Sequence, residues 1–363
     1  MLKNILIFFL ISTSLYAVSL KELLNSIEVT NENYQAQQAL QQMAKKQYES
    51  ASKDNFPTLN LIGAYENNSK VLEHEPEDIL YGELKASYTL YDGGRITNNK
   101  LAKKSLHESQ KFNTQYLKQE IMLDVIREYF SFQNSKSAIE VLNYKINELD
   151  EQIKRSEILV KNDLATKDKL QALIASKKES LYDIETLKID LENSILQLSL
   201  LTGLDILPKD DDKLLEPIYK EEQRYDIEAK KLEAQSLKYN EKMHNYLPTI
   251  SINNSLKKQE YLHYDEIYND KLNNQISLQI NIPIFDFGKI SKDKEASQLE
   301  TLALNKEIEY KEKSIQIERK LALKSLESSK IKLDSAIAAL EATNTTYEFS
   351  KKRFDANLIS YTE

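Results

Sequence analysis

Few residues in this sequence are placed to do covalent chemistry. The four histidines stand at positions 74, 107, 244 and 263, and none has a metal-ligand spacing such as His-Glu-x-x-His. Glu73-His74-Glu75 and the pair His263 and Asp265 are the groups that would catch a cation, but both lie in polar stretches that read as solvated loops. There is no Cys to serve as a nucleophile, and the many Ser and Asp residues come without a nucleophile elbow or a Gly-rich phosphate loop. The expectation is a protein that is not an enzyme and carries no metal or cofactor. One polar motif does recur. Asp92-Gly93-Gly94-Arg95 is returned near the other end as Asp286-Phe287-Gly288-Lys289. Glycine lets the backbone turn sharply, and the Asp carboxylate can accept from the first free amides of a helix, so the motif suits a junction between two kinds of element.

The flanking pattern says which elements these are. Before the first motif, Leu84, Ala86, Tyr88 and Leu90 alternate with Glu83, Lys85, Ser87 and Thr89, the two-residue period of a strand with one greasy and one wet face. After it, from Ile96, the apolar residues recur at helical spacing, and no Gly or Pro intervenes until Gly203.

Composition agrees with an elongated, largely helical chain. Of 363 residues 29% are charged, with only six Gly and six Pro to break helices. The net charge of −8, with no basic stripe, argues against a nucleic-acid partner. There are 21 Tyr and no Trp, and Tyr65, Tyr81, Tyr88, Tyr91, Tyr261, Tyr264 and Tyr268 gather near the expected strands, as aromatics do at a membrane interface. Residues 1–17 read as a secretory signal: Lys3, then an apolar run from Ile5 to Leu15, then the small Ala17. That run is too short to anchor the protein, and no later stretch is long and apolar enough, so any membrane crossing falls to strands.

Taken in order, Ser19 to Asn55 reads as one helix stopped by Pro57. A strand hairpin over 58–91 follows, its strands about nine residues long, with an acidic loop from Asn67 to Gly82. A helical hairpin over 96–201 comes next. Its first arm, Ile96 to Val160, would run roughly 100 Å at 1.5 Å per residue. Ile121, Val125, Ile126, Tyr129, Leu142, Ile146, Leu149 and Ile153 make its coiled-coil-like seam. The turn falls at Asp163, since Asp and Asn tolerate the left-handed conformation of a hairpin tip. This completes a first repeat over 18–205, closed by a linker over 206–217.

A second repeat, 218–363, restarts the order. A helix from Ile218 to Tyr246 ends at Pro248, 191 residues after Pro57; a strand hairpin spans 249–284, with a loop from Gln259 to Asp270; and Asp286 stands 194 residues after Asp92. A helix over 290–354 leads to Asn357-Leu358-Ile359-Ser360, which echoes Asp163-Leu164-Ala165-Thr166 at the same offset of 194. By this reading the second repeat lacks its return helix, and the expectation is a gene fragment whose full form continues past Glu363.

Four strands cannot sit in lipid with open edges, so other chains must close them. Three copies give twelve strands, with Leu, Ile and Tyr facing lipid and Ser, Asn and Gln facing water. The ordered set of signal, helix ending at Phe56-Pro57 or Leu247-Pro248, strand hairpin, Tyr-Asp-Gly-Gly-Arg turn and helical hairpin, all repeated, resembles the TolC-like outer membrane efflux proteins over nearly all of Ser19 to Glu363. The fold class expected is mainly α with a small antiparallel β part.

The resemblance implies a homotrimer in the outer membrane of a Gram-negative bacterium. It would have a 12-stranded barrel in the lipid and a helical tunnel in the periplasm. It also implies a periplasmic adaptor and an inner-membrane transporter as partners, and the role of exit duct in a tripartite efflux pump or type I secretion system. In such proteins the tips meet the adaptor and form the gate, which here maps onto Asp163, Leu164, Ala165 and Thr166, and onto Asn357, Leu358, Ile359 and Ser360. The family's usual tip glycine is replaced by Asp163 and Asn357. Near the tips Asp163, Asp168, Asp355, Tyr361 and Glu363 would line a cation-selective constriction. The rival reading is a soluble periplasmic coiled-coil adaptor or tether, which explains the helices and the signal but leaves the four strands without a use.

Overall fold

A computed structural model describes residues 17–68, 77–205, 207–209, 224–262 and 272–356. The chain divides into two compact units, 1–298 and 299–363, and the second holds the greater part of one helix. The elements run β1 (Ala17–Val18), α1 (Leu20–Thr30), α2 (Glu32–Ala51), β2 (Thr58–Asn67), β3 (Asp78–Tyr91), α3 (Arg95–Lys161) and α4 (Lys167–Thr202). They continue as β4 (Leu207–Pro208), α5 (Tyr225–Met243), β5 (Thr249–Leu262), β6 (Leu272–Asn281) and α6 (Lys289–Asp355). The fold is mainly helical with one four-stranded antiparallel sheet, and α3 and α6 are each 67 residues long.

The first helix expected from the sequence is in fact two. Asn31 stands between them in extended conformation, closing α1 with its backbone amide and opening α2 by accepting from Tyr34 N at 2.6 Å. Its side-chain nitrogen Nδ2 donates to Leu201 O at 2.6 Å, and the Thr30 hydroxyl donates to Thr202 O. The end of α4 therefore holds the break from outside. Gly203, at φ 66°, sits so near that a Cβ there would lie 2.4 Å from Thr30 O. Around this point Leu23, Ile27, Tyr34, Ile121, Val125, Tyr129 and Leu198 form the core cluster, and the Tyr129 hydroxyl donates to Lys209 O. The first helix region also stops short of Pro57, because α2 ends at Ala51 and a turn over 52–55 intervenes.

Other boundaries move as well. β3 begins at Asp78, so the end of the expected acidic loop is strand, paired from Asn67↔Asp78 to Gly63↔Gly82. β5 runs on to Leu262 and takes the start of the expected second loop, while β6 ends at Asn281, short of 284. The expected linker contains β4, which pairs in parallel with β1 as Ala17↔Leu207 and Val18↔Pro208. α5 ends at Met243, with His244 to Pro248 outside regular structure, and starts at Tyr225 among the described residues. Of the expected helical seam, Ile121, Val125, Tyr129 and Leu149 are buried, while Ile126, Leu142, Ile146 and Ile153 are half-buried.

Candidate functional site

The sheet is the part of the molecule whose two faces differ most in chemistry. Its strand order is β2-β3-β5-β6, so β2 and β6 are the outer strands. Residues opposite one another in an antiparallel pair share a face. The pairs Leu61↔Leu84, Leu84↔Leu256, Ile252↔Leu278 and Ile250↔Ile280 put aliphatic groups on one side. The pairs Asn60↔Lys85, Lys85↔Ser255, Ser251↔Gln279 and Asn253↔Ser277 put polar groups on the other.

Each face handles its exceptions by local bonding. On the wet side the Ser255 hydroxyl donates to Glu83 at 2.8 Å, and the Lys257 ammonium lies 3.8 Å from the centre of the Tyr81 ring. On the greasy side Asn254 donates to Asn274 at 2.9 Å, so the two side-chain amides bond to each other. Toward the loop end the greasy face turns polar at Asn67, Asp78, Lys258 and Glu260, and Asn67 donates to Asp78 at 2.8 Å. All of β6, and nearly all of β2, is exposed. Among the described residues no helix is long and apolar enough to cross a membrane.

Where sheet gives way to helix, the two Asp motifs do the same thing. Asp92 accepts from Gly94 N at 2.9 Å with one oxygen and from Ile96 N with the other. Asp286 accepts from Gly288 N at 3.0 Å and from Ile290 N at 2.7 Å. The Tyr246 hydroxyl adds a bond to Asp286 at 2.7 Å, and that bond, ahead of the backbone amides, holds the Asp286 carboxyl below its ordinary range. Gly93, Gly94 and Gly288 all have positive φ, at 74°, 80° and 83°. Phe287 occupies the place of Gly93, also left-handed at φ 55°.

The residues after the glycines behave differently. Arg95 reaches to the start of the second hairpin, donating to Leu247 O at 2.7 Å, Thr249 Oγ1 at 3.0 Å and, at longer range, Asn245 O. Asn245 returns a bond to Gly93 O at 3.2 Å. Lys289 instead pairs with Asp293 on its own helix at 2.6 Å. The Arg95 clasp escaped the sequence reading because nothing local connects position 95 to position 247.

At the other end of α3 the tip has the geometry of a helix stop. Asp163 is left-handed at φ 57°, its amide bonds to Val160 O at 3.2 Å, and Leu164 N bonds to Leu159 O at 2.8 Å. This is the double bond of a Schellman motif, with Asp in the position glycine usually takes. Leu164 is exposed, Ala165 half-buried, and Thr166 is the N-cap of α4. The Thr166 hydroxyl bonds to Asp168, which lowers that carboxyl below its ordinary range. Below the tip Lys177 pairs with Asp150 at 2.5 Å and ties α4 to α3. Asp355 is the last residue of α6, and the expected second tip at Asn357, Leu358, Ile359 and Ser360 lies outside the described residues, as do Tyr361 and Glu363. His74 and His263, with their acidic neighbours, lie outside them too.

Comparison with known proteins meets this geometry. The family model described as Outer membrane efflux protein matches residues 23–187. Among solved structures, CusC is similar with a TM-score of 0.80 at 17% identity, the match spanning 96% of this chain and 85% of CusC. The CmeC outer membrane channel of Campylobacter jejuni is similar with a TM-score of 0.79 at 16% identity, over 94% of this chain and 78% of CmeC. The outer membrane protein VceC of Vibrio cholerae gives 0.77 at 14% identity, over 94% of this chain and 87% of VceC. At these identities the likeness is one of fold. A search of curated protein sequences returned no match.

Proposed function

We infer that this chain is a TolC-like outer membrane efflux protein and works as an outer-membrane channel of an efflux pump or type I secretion system, a reading supported by the family model over residues 23–187 and by the shared fold. The observation that carries the reading is the sheet, with one greasy face, one wet face and two exposed outer strands, joined by capped turns to helices of 67 residues. A sheet of this kind is stable in hydrocarbon only when its edges are paired, and identical copies are the simplest source of strands with matching faces. Three copies supply twelve strands and a polar lumen. The helices, charged along their length, continue the wall into water rather than lipid.

In this reading the chain is two versions of one unit, 18–205 and 218–363, and the trimer's helical tips dock a periplasmic adaptor that links it to an inner-membrane transporter. Asp163, Leu164, Ala165 and Thr166 are the described tip. Leu164 offers an exposed apolar contact there, and Asp163 and Asp168 set the charge at the mouth. The duct is passive, so its cargo is set by the pump.

The test is recovery and conductance. The full-length protein should fractionate with the outer membrane and give stepwise, ohmic conductance in planar bilayers. Recovery solely in the aqueous periplasmic extract would overturn the reading. Replacing Asp163 and Asp168 by Asn should move the reversal potential toward lower cation preference, and an unchanged potential removes these residues from the selective path.

A further inference from the structure

We propose that neighbouring copies are joined by a second version of the joint already made inside the chain, with Lys289 of one copy seated on the segment Asp54 to Thr58 of the next. The proposal rests on the channel reading above and names the contact by which one subunit holds its neighbour.

Inside the chain, the end of β3 lies beside the start of β5, and Arg95 crosses from one to the other to reach Leu247 O and Thr249 Oγ1. Each party to that joint occurs a second time. Lys289 stands 194 residues after Arg95, at the same place in the turn. Asp54, Phe56, Pro57 and Thr58 stand 191 residues before Asn245, Leu247, Pro248 and Thr249. These second parties do not meet within one chain, because β6 and β2 are the two outer strands of the sheet. They meet if β6 of one copy pairs with β2 of the next as β3 pairs with β5.

The register offers an independent check. Carrying the pairs Leu84↔Leu256, Ala86↔Asn254 and Ser87↔Asn253 across by the same offsets gives Leu278 opposite Tyr65, Ile280 opposite Gly63 and Asn281 opposite Ile62. Leu278 and Ile280 lie on the greasy face, and so do Tyr65 and Gly63; Asn281 and Ile62 both lie on the other face. A slip of one residue would set the greasy face of one copy against the wet face of its neighbour. The transferred register passes a test that an arbitrary one would fail half the time.

The charges also change in a complementary way. Asn245 of the internal joint becomes Asp54, and Arg95 becomes Lys289, so the external joint gains an opposite-charge pair. Lys289 now holds Asp293 in an exposed pair one helical turn away, a weak interaction that it can share or leave. The approach of backbones must be wider between copies. A Cβ at Gly93 would meet Asn245 Oδ1 at 2.7 Å, whereas Phe287 in the matching place carries a whole ring, 93% exposed, 4.7 Å from the ring of Phe285. Those two rings and the exposed Phe56 of the next copy fill the wider gap.

The chain has no Cys, so engineered pairs report cleanly. In the full-length protein in outer membranes, Ile62→Cys with Asn281→Cys should cross-link copies on mild oxidation. Ile62→Cys with Gln279→Cys, two residues out of register, should cross-link severalfold less. Lys289→Asp and Asp54→Lys should each weaken oligomers on detergent dilution by about two- to fivefold, and the double swap should restore them. Asp293→Asn, which removes only the intrachain pair, should leave them unchanged. An oligomer cross-linked preferentially by the Gln279 pair, or a double swap without recovery, overturns the joint alone. An unaltered protein that stays monomeric in the outer membrane overturns the channel reading and the joint with it.

Discussion

At Asp92 and again at Asp286 the backbone makes one turn, with the same two amides bonded to the same two carboxylate oxygens. Around the first turn the chain is crowded: Arg95 clasps the Leu247 carbonyl and Asn245 presses on Gly93. Around the second it is open, with Ile284 at 90% and Phe285 at 74% exposure. The helices that follow repeat the contrast. α3 lies along α2, α4 and α5 and buries Ile121, Val125, Tyr129 and Phe132, whereas on α6 Ile317, Leu321, Ile331, Leu333, Leu340 and Phe349 are exposed. The two halves thus separate what a local motif specifies from what neighbours supply. A carboxylate four residues from an amide caps a helix anywhere, but an apolar stripe is buried only where another surface meets it.

The largest expected effect comes from the crowded half. Leu198→Ala, in the core cluster where α4 meets α1 and α3, should cost about 2–5 kcal/mol in denaturant unfolding, since Leu198 is fully buried. Leu333→Ala on α6 should stay within about 0.5 kcal/mol for the folded subunit. Equal losses would break the comparison, because they would mean that α6 is packed as firmly as α4.

The two turns give the next contrast. Arg95→Met should cost about 1.5–3 kcal/mol, because it strips charged hydrogen bonds from Leu247 O and from the half-buried Thr249 Oγ1. Lys289→Met should leave the unfolding midpoint of the subunit unchanged, since that side chain is held in an exposed pair with Asp293. Gly93→Ala should cost about 1–3 kcal/mol, from a left-handed φ and a Cβ placed 2.8 Å from Leu247 Cβ. Gly288→Ala has the same backbone problem and an open surrounding, so it should cost less, about 1 kcal/mol. Thermal melts of the four variants side by side would order them.

Much of this architecture was legible beforehand, for identifiable reasons. A stretch of helical spacing without Gly or Pro from Ile96 to Leu201 leaves the turn at Asp163 as the natural break, and Gly203 as the stop. Strict alternation fixed which sides of β3 and β6 are greasy. The break at Asn31 was hidden because Asn is also an ordinary helix residue, and what forces it to cap both helices is Leu201, far away in sequence. The strand ends at Asp78 and Leu262 were hidden by composition. Acidic and Tyr-rich residues look like loop, yet here they continue a ladder whose partners hold them in place. The Arg95 clasp is the same lesson at the site: the residue type was visible, and its acceptors on Asn245, Leu247 and Thr249 were not.

The smallest effect isolates the cap from everything around it. The Asp286 carboxyl is held below its ordinary range first by the Tyr246 hydroxyl and then by the amides of Ile290 and Gly288. A carboxyl whose folded value is depressed contributes stability that is complete above the unfolded value and is lost as pH falls through the folded one. Acidification from about pH 4, the ordinary value for Asp, down through the lower folded value should therefore fray the start of α6. Faster amide exchange at Gly288 and Ile290 would report it. Tyr246→Phe removes the leading cause, so the same fraying should begin at higher pH, while Asp286→Asn should abolish the pH dependence. If Tyr246→Phe leaves the profile in place, the backbone amides alone set the carboxyl, and the second turn is then as self-contained as its open surroundings imply.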